Sequence, residues 1–172
     1  MNYQEQRTKI GRLLFNFTLK ASKFLMKHIW LYYILNYTFG ILTTLSGWIA
    51  IGFIHIFLRK KIKESGKFGP CHYIIIGNNW GGLELGTNFL VADNMGTSWT
   101  QHTKEHESGH TFQNAIFGVL AIFIIYVPSA VRYWYRRLSK GPHKAYDSVW
   151  YEGSASEVGN YYYNNHLREK GN

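Results

Sequence analysis

Residues His106, Glu107, Ser108, Gly109 and His110 place two imidazoles four positions apart, with a carboxylate beside the first. On an α-helix, positions i and i+4 share a face, so His106 and His110 can turn their ring nitrogens onto one cation. Zn²⁺ accepts two imidazoles at about 2.0–2.1 Å and keeps a position open for water. Glu107 is then placed to take a proton from that water, whose pKa the metal lowers from 15.7 to roughly 7. A third protein ligand completes such a site, and two His plus one Glu is a set that catalytic zinc enzymes use. Downstream, Glu152 falls in a predicted helix and is followed by Gly153, Ser154, Ala155 and Ser156, small residues that permit close helix packing. Glu157 is the rival ligand. It lies five positions further on, so the two carboxylates cannot point at one spot on a helix of 3.6 residues per turn.

These groups act only if the chain holds them together. With 172 residues there is room for one domain and an appendage. Residues 1–28 read as a basic amphipathic segment, with Lys and Arg between apolar residues at helical spacing, a pattern suited to an anionic membrane surface or to a solvated helix. From 28 to 58 there is no Asp, Glu, Lys or Arg. Residues 29–58 are therefore expected to be a membrane segment: a single tilted span or, given the polar patch from Asn36 to Gly47, a helical hairpin that dips in and returns. Basic residues flank it on both sides, so charge bias sets no orientation.

Residues 59–172 form the remaining domain, at the membrane interface. After a break at 66–70, the β-branched run 73–76 with partners at 83–85 and 88–92 predicts a small β-meander, its turns supplied by Asn78, Asn79, Gly81, Gly82 and Gly86. A helix opening near Thr103 carries the two histidines and runs on through 115–131. If 115–131 crossed a bilayer, His110 and Glu152 would start on opposite faces, so this stretch is expected to be a core helix bent at Pro128 or a shallow re-entrant loop. A last helix is predicted over about 148–164. The fold class expected is α+β, an N-terminal membrane helix followed by a compact domain.

His106–His110 with Glu152 resembles the gluzincin branch of zinc metallopeptidases, in which H-E-x-x-H on one helix is completed by a Glu on a later helix. Glu152–Ala155 is similar to the Glu-x-x-Ala-Asp element of membrane-associated members, except that Ser156 replaces the Asp that would orient a histidine; Asp147 could substitute. The stretch 79–86 followed by His-Glu-x-Gly-His-Thr-x-Gln also resembles small bacterial membrane proteins with the same motif order. The resemblance covers about residues 73–159. It implies a zincin-like domain, a Zn²⁺ cofactor and peptide-bond hydrolysis at a bacterial inner membrane. It also implies an edge strand beside the active helix, including Asn79, Trp80, Gly81 and Gly82, that holds an extended peptide.

Other residues fill supporting roles. His143 and Tyr146 precede Glu152 and could stabilise an oxyanion. Gln113, one turn after His110, could bond a ligand's second nitrogen. His102 reads as a surface or supporting group, and His72 beside the lone Cys71 is a poor zinc pair without further thiolates. The net charge of +9 follows 19 Lys plus Arg against 10 Asp plus Glu. The basic residues cluster beside apolar segments, and no nucleic-acid-reading motif is visible. The expected partners are membrane lipids and a peptide or protein substrate, with no nucleic acid. A mean hydropathy of −0.21 excludes a polytopic transporter. Two alternatives stand beside the peptidase: a catalytically silent, zinc-stabilised membrane scaffold, and a metal-free lipid-binding module.

Overall fold

A computed structural model describes residues 7–77, 80–93 and 96–168. It contains helices α1 (Lys9–Lys27), α2 (Ile29–Tyr37) and α3 (Ile41–Phe57), then strands β1 (Ile62–Phe68), β2 (Cys71–Ile76), β3 (Gly82–Leu85) and β4 (Asn88–Val91). Helices α4 (Thr97–Phe117), α5 (Val127–Leu138) and α6 (Trp150–Tyr162) follow. The expected α+β balance is corrected: the chain is 70% helical with one small mixed sheet.

The expected N-terminal membrane helix is corrected as well. No single helix among the described residues is long and apolar enough to cross a membrane, because residues 29–58 break into α2 and α3, which meet at 87°. The polar patch inside the apolar run causes the bend. Asn36 accepts a hydrogen bond from the Asn114 side-chain amide at 2.6 Å, and Thr44 donates to the Asn36 carbonyl at 3.0 Å. A Cβ on Gly40 would fall 2.3 Å from Asn114 Nδ2, so α2 and α3 wrap around a residue of α4. Buried amide groups are satisfied in this way or at considerable cost, so the contact outweighs the continuity of one apolar helix.

The sheet order is β1-β2-β4-β3. β2 and β4 run parallel, and the outer pairs are antiparallel, so this is not the expected meander. Strand β1 takes up much of the expected break at 66–70. It is a polar edge strand whose buried residue is Phe68, joined to β2 across Gly69, which has φ +62°. At the other edge lies β3, alongside α4.

Helix α4 is the centre of the molecule and is buried on nearly every side, although its interior residues include Thr103, Ser108, Thr111 and Gln113. It ends at Gly118, whose φ of +55° is a left-handed conformation that favours glycine and stops the helix. The expected helix through 115–131 therefore breaks at Gly118, not at Pro128. After the break, a π-helical turn at Ile122–Tyr126 leads into α5, with Pro128 in its first turn. The wider turn accommodates a residue that lacks an N–H and whose ring crowds the preceding carbonyls. This stretch is not a core helix, since Ala121 and Ile125 are its buried apolar residues.

Helix α6 packs directly on α4. A Cβ on Gly109 would lie 2.0 Å from the Ala155 carbonyl oxygen, and one on Gly159 would lie 1.7 Å from that of Glu105. Only glycine permits this backbone approach, and the approach brings Glu152 to the histidines. Around it, Tyr32, Phe89, Phe112 and Val158 form the main apolar core.

Candidate metal centre

The helical spacing of His106 and His110 puts their Nε2 atoms 3.1 Å apart. Glu152, in the first turn of α6, places Oε2 at 3.2 Å from His106 Nε2 and 3.3 Å from His110 Nε2. The three groups form a buried cluster that could hold a metal ion. The triangle has the right size. Atoms at these separations, each about 2.0–2.1 Å from one centre, subtend roughly 100° there, close to the tetrahedral angle.

The surroundings argue for a cation as strongly as the distances do. The Glu152 side chain is fully buried, and neither of its oxygens makes a hydrogen bond of normal geometry. Buried charges are paired or bind metals, and Glu152 Oε2 faces the two imidazoles. Burial opposes the ionised form of Glu152, but contacts with His106 and His110 hold its pKa well below the usual carboxylate range. Burial likewise opposes the charged form of His110. Glu152, with Glu107 and Glu84 behind it, outweighs that effect and lifts the pKa to about 9.

The outer nitrogens of both rings are held. Gln113 donates through Nε2 to the Tyr151 carbonyl at 2.7 Å and to Ser154 Oγ at 2.8 Å, so its Oε1 is left to accept from His110 Nδ1 at 2.7 Å. That assignment fixes a proton on Nδ1, so Nε2, which faces Glu152 and His106, is the nitrogen that would give up its proton to bind a cation. Ser156 Oγ lies 2.8 Å from His106 Nδ1, so the serine takes the orienting position that the similar pattern gives to an Asp. Asp147 meets Arg7, its main-chain oxygen accepting from the guanidinium at 2.8 Å and its charge favouring the cation. Glu157 is exposed, as is His102.

Glu107 lies on the β3 side of the pair. A Cβ on Gly82 would sit 2.2 Å from Glu107 Oε1, so the glycine leaves the space the carboxylate fills. Burial raises the Glu107 pKa, while His106 and His110 pull it down, the balance suited to a proton acceptor. His106, Glu107 and His110 open onto a cleft of about 700 Å³, whose other walls include Trp80, Gly81, Gly82, Leu83 and Tyr126. Glu152, fully buried, is not one of its walls. Asn79 lies outside the described residues. Tyr146 also lines the cleft, with its hydroxyl 3.3 Å from Ser129 Oγ, and burial followed by Glu152 raises its pKa so that it stays protonated. His143 is elsewhere, 3.1 Å from Ser139 Oγ and against the Tyr135 ring. Cys71 is buried with its thiol pushed up to about 11 by that burial, and so is unsuited to metal binding.

Glu84 is a cleft residue that sequence reasoning passed over. Its side chain is buried, neither oxygen reaches hydrogen-bond geometry, and burial raises its pKa to about 8. The available signal was an acid alternating with Leu83 and Leu85 on a strand beside a glycine pair.

No family model matches this sequence, and no curated protein or solved structure matches it either.

Proposed function

We propose that the protein is a zinc-dependent hydrolase of peptide bonds, with His106, His110 and Glu152 holding the metal. The carrying observation is the buried triangle of two imidazole nitrogens and an otherwise unpartnered carboxylate oxygen, with Glu107 beside it at the base of a cleft. The nitrogen and oxygen donors suit zinc, and the side facing the cleft leaves room for water. A zinc ion bound there supplies Lewis-acid polarisation of a carbonyl and a water that ionises near neutral pH.

The chain's own residues do the rest. Glu107 takes the proton of the attacking water and returns it to the leaving amine, a role that its raised pKa supports. The Tyr146 hydroxyl, protonated and facing the cleft, donates to the developing oxyanion. At the sheet edge, β3 offers main-chain groups for an extended peptide, and Gly81 and Gly82 let it approach closely.

Elemental analysis of purified wild type and His106→Ala, together with cleavage of an unstructured protein, tests this reading. Wild type is expected to carry one zinc per chain and to cleave; His106→Ala is expected to lose both. Glu107→Gln should keep the zinc and lose cleavage. Zinc at background in wild type overturns the proposal. Zinc present without any Glu107-dependent cleavage favours the silent scaffold instead.

A further inference from the structure

The two elements that flank the cleft present apolar side chains to the outside. α3 buries Thr44, Gly47 and Ile54, with Gly47 against the Leu85 carbonyl, and turns Leu42, Leu45, Ile49, Phe53, Ile56 and Phe57 outward at 53–73% exposure. Residues 119–138 repeat the pattern. Nothing in α5 is buried, and Leu120, Phe123, Val127, Val131, Tyr135 and Leu138 are 51–76% exposed. These six recur three, four or seven positions along a helical path, so they form one continuous stripe. In a water-exposed helix this stripe would face the core. An outward apolar surface of this extent marks a binding face.

Both elements finish on cations. Arg59, Lys60 and Lys61 follow α3, and Arg136, Arg137 and Lys140 close α5 or follow it. An apolar face bordered by Lys and Arg fits the junction between hydrocarbon and anionic headgroups, where the long stems lie along apolar surface and the charges reach outward. A second copy of this chain would bring more cations to the same border, where anions are needed.

The cleft opens within this surface. Thr43, near the start of α3, and Tyr126, at the end of the π-turn, both donate to Asn114 Oδ1, at 2.5 and 3.2 Å. From that shared point, Thr43 of α3 and Ala130, Tyr133 and Trp134 of α5 line the cleft. Leu83 and Trp134 line the cleft while remaining 49% and 54% exposed, so they form its lip.

The geometry points to a bilayer-docking face: α3 and residues 119–138 lie against an anionic phospholipid surface, with no element crossing it, and the cleft receives a polypeptide segment held at that surface. Docking stands independently of the catalytic reading; the substrate class rests on it.

Flotation of the full-length protein with phosphatidylcholine vesicles, with and without phosphatidylglycerol, tests docking. Wild type should bind, and more tightly to the anionic vesicles. Phe123→Glu with Val131→Glu, and separately Ile49→Glu with Phe53→Glu, should each weaken binding roughly tenfold or more, since apolar burial drives it. These side chains face outward, and circular dichroism checks that the fold persists. Binding by either double variant that equals wild type, or no preference for the anionic vesicles, overturns the docking face, as does a lipid-free dimer that ignores vesicles. A phospholipid with a photoreactive group in its acyl chain tests the opening. Crosslinks are expected on Leu83 or Trp134 as well as Phe123, and crosslinks confined to Phe123 and its neighbours remove the route from the bilayer. Neither readout needs turnover, so loss of the hydrolase reading and loss of this one are separable.

Discussion

Glu107 Oε1 lies 2.2 Å from where a side chain on Gly82 would begin, so the position of the proposed base depends on a residue of the sheet edge having no side chain. The glycine and the carboxylate come from different elements, β3 and α4, and their packing couples the substrate-facing strand to the catalytic group.

Gly82→Ala is therefore expected to displace Glu107 while sparing the fold, because the atoms that must move, Oε1, Cδ and Cγ, belong to a side chain and not to backbone. Misplacing a catalytic group by about 1 Å costs on the order of 100-fold in rate. Cleavage should fall by about that factor, with zinc content unchanged by elemental analysis. Wild-type turnover in this variant would show that Glu107 is not the base.

Gly159→Ala should act on stability and metal together. Its Cβ meets the Glu105 main-chain oxygen at 1.7 Å, and backbone cannot yield as a side chain can. Forcing α4 and α6 apart should cost about 1–3 kcal/mol or more. It also moves Glu152 from the histidines. Thermal unfolding and a zinc competition titration on one sample should both shift; a lower melting temperature with unchanged zinc affinity would refute the link between helix spacing and ligand geometry.

Gln113→Ala removes the acceptor for His110 Nδ1. Losing an orienting partner of a metal-bound histidine typically costs 10- to 100-fold in affinity. Gln113→Glu, which keeps an acceptor oxygen, should bind zinc more tightly than Gln113→Ala. Equal affinities in all three proteins would mean that the amide is only packing.

Glu84 sets a pH dependence. Burial raises its pKa from 4.5 to about 8, so the folded protein holds this proton more tightly than the unfolded chain. Its stabilising contribution is then complete below pH 4.5 and disappears as the pH rises through about 8. In chelator, Glu84→Gln should flatten that part of the stability curve. Denaturant unfolding across pH 5–9 checks it, and parallel curves for the two proteins would count against a buried, proton-retaining Glu84.

Several elements were legible in the sequence for a local reason. The i, i+4 spacing of His106 and His110 is a property of one helix, and the small residues after Glu152 announce close packing without naming a partner. β1 was not legible, because an exposed edge strand lacks the apolar alternation that reveals a buried one. The bend between α2 and α3 was legible only as one of two alternatives, a hairpin at the polar patch from Asn36 to Gly47. Hydropathy measures length and composition, whereas the bend depends on Asn36 and Gly40 meeting Asn114, more than seventy positions away.

By itself, then, the sequence determined which residues can ligate, which carboxylate can take a proton, and that much of the surface would be apolar and basic. Tertiary structure alone decided which acid joins the histidines, turning Glu152 inward and Glu157 outward. It also decided that Ser156 holds His106, beside the Gln113 that helical spacing had offered to His110, and that the apolar run 29–58 folds into a corner. The physical reason is range. Helical periodicity acts over four residues, whereas packing of α4 on α6 is set by backbone approach at Gly109 and Gly159, which no local pattern encodes.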